Sequence, residues 1–317
     1  MIAVYSVPLR ERFRGITVRD GVLLRGPAGW GEFSPFWDYD DATCVPWLRA
    51  AVEMATAPYT APVRGEVAVN ATVPAVAPER AAAIVAASGC GTVKVKVAEP
   101  GQSLADDLDR VAAVRAALGP HGSIRVDANG AWPVEDAVAA LTALDRAAGG
   151  LEYAEQPCRS VEELAAVRRR VRVPIAADES IRRASDPLAV VRAHAADVIV
   201  MKVQPLGGVR ACLELAEEVA LPITVSSALD SSVGLAAGVA LAAALPGTPN
   251  ASGLATGTLL AGDVTRAPLV PADGALPVRR VDADAIPLAS AEVDARWRAR
   301  LGRVAALAGI DLNQALS

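Results

Sequence analysis

The sequence predicts an α/β fold in which eight parallel strands, alternating with seven helices, close into a TIM-like barrel beside a small α+β domain. Two observations carry this. From Glu66 to about Gly257, short β-branched runs alternate with alanine-rich stretches, whereas nine of the twelve aromatic residues fall within the first 59 positions. A chain of 317 residues that is 52% apolar has ample material for two such cores.

The N-terminal segments IAVYSV, GITVRDGVLLRG and GWGEFSPF read as an antiparallel meander with Asp20-Gly21 as a tight hairpin turn, followed by a helix from about Asp41 to Thr56. Ala57 to Gly65, with two prolines, is a linker. Barrel strands are expected at EVAVNATV, TVKVKV, IRVDAN, LEYAEQP, PIAADES, ADVIVMKV and PITVSSAL, with a weaker eighth near Asn250–Leu254. Helices between them start near Pro78, Ser103, Pro133, Ser160, Ser185, Gly207 and Ser231, several with Ser or Pro in the cap or first turn. An amphipathic helix from about Ser290 to Ala308 returns to the N-terminal domain. The expected division is residues 1–64 joined by 280–317 for the small domain, and 65–279 for the barrel.

Composition excludes several functions. With 31 basic against 36 acidic residues, a net charge of −5 and no basic run beyond Arg168–Arg170, the chain lacks the footprint of a nucleic-acid binder. The longest apolar run, Val233 to Pro246, has 14 residues, short of the roughly 20 that span a bilayer, so no membrane insertion is expected. Four scattered cysteines and an N-terminus without an apolar signal core point to a reduced, cytoplasmic compartment. The oligomeric state is left open.

The basic residues are 28 arginines and only three lysines, Lys94, Lys96 and Lys202. A guanidinium stays protonated near neutral pH, whereas an ammonium can be tuned to act as a base. Lysine therefore persists where arginine cannot do the chemistry. The strand period of two puts Lys94 and Lys96 on one face, opposite Val93, Val95 and Val97, and in a helix-covered barrel that face points inward.

Active sites of such barrels lie at the C-terminal strand ends. Strand two ends in Lys94 and Lys96, strand three in Asp127 and Asn129, strand four in Glu155 and Gln156, strand five in Asp178 and Glu179, strand six in Lys202. These steps of 23 to 31 residues are each one βα unit. A turn or cap role is open to each carboxylate singly, but three at matching register would repel unless a cation sat among them. A hard divalent ion, Mg2+ with Mn2+ as a substitute, fits oxygen ligands, and the scarcity of histidine argues against zinc. A small-molecule carboxylate substrate held there would lie between Lys96 and Lys202. That suits proton abstraction beside the carboxylate, with Lys94 repelling Lys96 to lower its pKa.

The ordered motifs KVKV, VDANGAW, YAEQP, ADES and VMKVQPLGG resemble the enolase superfamily, in its muconate-lactonising-enzyme-like subgroup, over nearly the whole chain. The resemblance implies a modified (β/α)7β barrel with an α+β capping domain, Asp127, Glu155 and Asp178 as magnesium ligands, and Lys96 and Lys202 as acid/base residues. Lys94, Asn129 and Glu179 stand beside these in supporting places. SSALDSSVGLAAG and GWGEFSPF look most like the o-succinylbenzoate synthase family. That implies syn dehydration of 2-succinyl-6-hydroxy-2,4-cyclohexadiene-1-carboxylate in menaquinone biosynthesis. Lys96 would take the α-proton and Lys202 would stabilise a metal-bound enediolate. Ser226, Ser227, Gly253 and Leu254 are candidate substrate contacts, and a cap loop over Arg10 to Gly15 is a candidate cover. N-acylamino-acid racemase, dipeptide epimerase and muconate cycloisomerase are the alternatives. Dipeptide epimerases carry an Asp-x-Asp where this chain reads NASGLATGT.

Overall fold

A computed structural model describes residues 1–182, 186–247 and 250–317. The chain opens with an antiparallel meander of β1 (Ile2–Phe13), β2 (Ile16–Gly26) and β3 (Gly29–Phe33). Its first turn is at Arg14-Gly15, with φ of 50° and 76°, the left-handed pair that a two-residue hairpin needs. The turn expected at Asp20-Gly21 is thereby corrected: those residues lie inside β2, paired with Ser6 and Tyr5. Gly21 is required for space, since a Cβ there would lie 2.6 Å from Ser34 Cβ and 2.9 Å from the Tyr5 ring. Likewise, Arg10 to Phe13 is strand rather than loop, and only Arg14-Gly15 forms the hairpin tip.

Helix α1 (Val45–Thr56) starts later than expected, with Pro46 in its first turn and Asp41 in the turns before it. It packs on the meander together with a C-terminal helix at Ala291–Ala308, capped by Ser290 as the sequence predicts. Phe33, Trp47, Trp297, Leu301 and Val304 form this core, with the Phe33 and Trp297 rings edge-on at 5.9 Å.

The run EVAVNATV splits in two. β4 (Glu66–Ala68) pairs antiparallel with a strand at Ala275–Pro277, and β5 (Ala71–Val73) enters the barrel. Asn70 separates them because its side chain is used elsewhere, accepting from the buried Arg125 at 3.0 Å and donating to Ala71 O. β6 (Thr92–Lys96), β7 (Ser123–Asp127), β8 (Tyr153–Glu155), β9 (Ile175–Ala177), β10 (Val198–Lys202) and β11 (Ile223–Ser226) follow β5 in one parallel sheet. The eighth strand is reduced to two bridges, Val69↔Ser252 and Ser226↔Gly253, which close the circle. Its sequence, NASGL, has no β-branched residue to favour a longer ladder. The fold is the modified (β/α)7β barrel with a cap.

The connecting helices are α2 (Pro78–Ser88), α3 (Leu104–Leu118), α4 (Val134–Ala148), α5 (Val161–Arg168), α6 (Glu179–Arg182), α7 (Ala189–Arg192), α8 (Val203–Leu206), α9 (Val209–Glu218) and α10 (Ser232–Ala244). Ser103 and Ser160 begin α3 and α5 with complete capping boxes. The start expected near Ser185 lies outside the described residues. Helix α10 holds the longest apolar run and is buried almost throughout. Among the described residues, no helix is long and apolar enough to cross a membrane.

Candidate active site

Register builds the site. Lys96 pairs with Asp127 and Asp127 with Glu155, so three side chains from β6, β7 and β8 form one row at the strand ends. Asp178 follows directly on β9, and Lys202 ends β10 beside Ser226 of β11. Val93 and Val95 are fully buried on the helix side, and Lys94 and Lys96 point inward, as the period of two predicts.

The charges are paired. Lys96 Nζ donates to Asp127 Oδ2 at 2.5 Å and to Asn129 Oδ1 at 2.6 Å. Lys94 Nζ lies 2.8 Å from Glu155 Oε2 and 3.3 Å from Asp127 Oδ2. Lys202 Nζ lies 2.6 Å from Asp178 Oδ2, and Arg182 Nε holds the other oxygen at 2.9 Å. Asn129, at a left-handed φ of 49°, donates in turn to Glu179 Oε1 at 3.1 Å. Gln156 sets the end of β9 by accepting from Asp178 N at 3.0 Å.

Burial opposes each of these ionisations, and the neighbours decide the outcome. Asp127 is held well below the carboxylate range by Lys96 and Lys94, and Asp178 by Arg182 and Lys202. Burial and the charge of Asp127 push Glu155 up, beyond what Lys94 offsets. Lys94 is held high by Glu155 and Asp127 despite its burial. It is thus tied to the carboxylates rather than standing as a bare cation beside Lys96.

Among the described residues, no three carboxylate, histidine or cysteine side chains already form a metal-holding group; the lysines stand between the carboxylates. The donors nonetheless fit a hard cation. They are all carboxylate oxygens, and Glu155 Oε1 is buried with no hydrogen-bond partner.

Lys94, Lys96, Lys202, Ser226, Ser227 and Gly253 line a cavity of about 50 Å³ at the barrel mouth. Leu254 does not; it is fully buried, against Gly238 of α10. Phe13 and Arg14, from the segment expected to cover the site, line it too, and six further lining residues are not singled out from the sequence: Phe36, Thr72, Arg182, Ala228, Leu229 and Thr256. Arg182 joins Asp178, Glu179 and the Tyr39 hydroxyl of the cap, but one arginine among 28 gives no signal. Thr256 and Ser227 share a hydrogen bond of 2.6 Å. Outside Phe13 and Arg14 lies a wider basin of about 650 Å³, which shares Lys96 and Asn129 with the cavity.

Comparison with known proteins bears on this arrangement. Residues 77–282 match the family described as enolase C-terminal domain-like, and residues 4–55 the enolase N-terminal domain-like family. The chain belongs to the enolase superfamily. Among curated members, it is 64% identical to an o-succinylbenzoate synthase of Thermobifida fusca, over 94% of this chain and 93% of that one. It is 56% identical to an o-succinylbenzoate synthase of Mycolicibacterium smegmatis, over 90% of this chain and 88% of that one. Solved superfamily folds agree. The L-Ala-D/L-Glu epimerase from Bacillus subtilis aligns at a TM-score of 0.75 and 22% identity, over 92% of this chain and 98% of its own. Muconate lactonizing enzyme from Pseudomonas fluorescens aligns at 0.74 and 20%, over 93% and 97%.

Proposed function

We propose that the chain catalyses the syn dehydration of 2-succinyl-6-hydroxy-2,4-cyclohexadiene-1-carboxylate to 2-succinylbenzoate, with Lys96 as base and acid. The carrying observation is that two amines, from β6 and β10, face one cavity beside three buried carboxylates. The identity to synthases over nearly the whole chain supports the same reading.

Lys96 takes the proton α to the carboxylate, and the electron pair left behind moves into the carboxylate as an enediolate. Lys202, protonated, faces the growing negative charge from the other side of the cavity. Lys96 then gives its proton to the departing hydroxyl, so that water leaves and the ring becomes aromatic. A single residue serving both transfers accounts for loss of both groups from one face. Asn129 and Glu179 hold Lys96 in place through the bonds described above.

Asp127, Glu155 and Asp178 would hold Mg2+, which when bound supplies Lewis-acid stabilisation of the carboxylate as charge grows on it. Charge counting supports this reading. Lys94, Lys96, Lys202 and Arg182 face Asp127, Glu155, Asp178 and Glu179, four against four, so a dication and a dianionic substrate enter together without net charge. The four cysteines are free and buried, which supports a reducing cytoplasm, and the product suits menaquinone biosynthesis.

The test is an ultraviolet assay of the purified protein with Mg2+. Turnover of the cyclohexadiene acid that stops on adding EDTA is expected. A folded protein that leaves this acid untouched, yet exchanges the α-proton of N-acylamino acids or dipeptides in deuterated water, would overturn the reading.

A further inference from the structure

A second set of buried polar side chains joins the cap to the barrel, away from the three carboxylates. Its centre is Arg19 of β2, which is 2% exposed and does not line the cavity. Arg19 Nε donates to Leu229 O at 2.9 Å, and Nη2 donates to Ala228 O at 3.2 Å and to Ser34 Oγ at 2.8 Å. The carbon of the same guanidinium lies over the Phe36 ring, 4.6 Å from its centroid. Phe36 belongs to the cap and Ala228-Leu229 to the barrel, and both line the cavity with Lys96 and Lys202. One guanidinium thus joins a cap wall and a barrel wall, its N–H groups to the carbonyls and its carbon over the ring.

The barrel wall needs holding. Leu229 has a φ of 64°, a conformation that leucine seldom adopts unless its surroundings impose it. The flanks of this loop are fixed independently. Ser227 bonds Thr256 on one side, and on the other Glu32 of the cap accepts from Ser231 N at 3.1 Å and Gly234 N at 3.0 Å, capping α10. Only Arg19 holds the carbonyls between these anchors among the described side-chain bonds. A lysine could not replace it, having one point charge in place of a fork and a flat face.

We propose that Arg19 is a positioning residue that fixes the gap between Phe36 and Leu229 and thereby sets which carboxylates the cavity admits. This rests on the synthase reading for the identity of the preferred carboxylate, but not for the geometry. Removing the guanidinium releases the Ala228 and Leu229 carbonyls, while Asp230, which accepts from Ala228 N at 3.3 Å and Gln204 Nε2 at 2.6 Å, keeps the loop near its place and both lysines and all three carboxylates stay where they are.

Steady-state kinetics of Arg19→Met on the cyclohexadiene acid should show KM raised about tenfold or more, with kcat within about threefold, the pattern of lost substrate binding rather than lost chemistry. The preference in kcat/KM for this acid over an analogue with a longer acyl chain should fall about tenfold. Arg19→Lys, which keeps the charge but loses the fork, should give the same loss of preference. It also serves if Arg19→Met does not fold. Calorimetric affinity for 2-succinylbenzoate should weaken in parallel in both variants. Wild-type KM and preference in a folded Arg19→Met, or wild-type preference in Arg19→Lys, overturns the proposal. A wild-type protein that ignores the acid sinks the synthase reading alone, and the affinities then decide the role of Arg19.

Discussion

The molecule buries charge in two places, and they are finished differently. At the cap–barrel junction the hydrogen bonding of Glu32 is saturated: its oxygens accept from the Tyr5 hydroxyl at 2.7 Å, Ser34 Oγ at 2.7 Å, the Ser231 hydroxyl, Ser231 N and Gly234 N. At the barrel mouth Glu155 Oε1 and Glu179 Oε2 have no hydrogen-bond partner, and the carboxylates are neutralised mainly by lysine ammonium groups. In a network that serves only the fold, an open bond is a loss. The open oxygens at the mouth suit the cation proposed above. Among the described residues, the two buried carboxylate oxygens without a partner, Glu155 Oε1 and Glu179 Oε2, both lie at the mouth.

Substitutions at the two places should fail in different ways. The largest effect is expected from Lys96→Ala, which should lower turnover by about a thousandfold or more while the circular dichroism spectrum stays that of wild type. Residual activity within tenfold of wild type would remove Lys96 from the mechanism. Glu32→Ala should act first on stability. Stranding the donors of Tyr5, Ser34 and α10 should cost about 3 kcal/mol or more in urea unfolding, and a loss under 1 kcal/mol would contradict the saturated network. Gly21→Ala should cost about 1–3 kcal/mol, since the new Cβ meets the Tyr5 ring and Ser34; a neutral result would show that β2 shifts freely.

The smallest effect concerns pH. Asp230 is buried beside Glu32, and its carboxyl is pushed up from 3.8 to about 7, first by burial and then by that neighbour. A folded value above the unfolded one means the folded state holds the proton more tightly. The stability it supplies is complete below 3.8 and is lost as the pH rises through about 7. Asp230→Asn, neutral at every pH, should flatten that loss, so that melting temperatures at about pH 5 and about pH 8 differ less than in wild type. An equal difference in both proteins would show that Asp230 is already ionised.

The barrel and its charged mouth were legible because both follow from repetition. A period of two fixes which lysines face inward, and one βα unit per step brings Lys96, Asp127 and Glu155 into a single row. What was missed depends on contacts between distant segments. Asp20-Gly21 has the composition of a turn, but the glycine is there to admit the Tyr5 ring. Leu254 sits beside Gly253 in sequence, yet its side chain turns into the space left by Gly238. Arg182 and Arg19 are hidden among 28 arginines, and only their partners distinguish them. Local pattern locates what is repeated, and packing decides what occurs once.

The cap draws on both ends of the chain, and this bears on how the molecule is made. Arg300, on the C-terminal helix, donates to Phe36 O at 3.1 Å across 264 residues of sequence. During synthesis the meander and Phe36 emerge early but stay uncovered until that helix has left the ribosome, after every barrel strand. The cavity wall formed by Phe36 is therefore completed last, and a chain stalled before Trp297 carries all its lysines and carboxylates without the wall that encloses them.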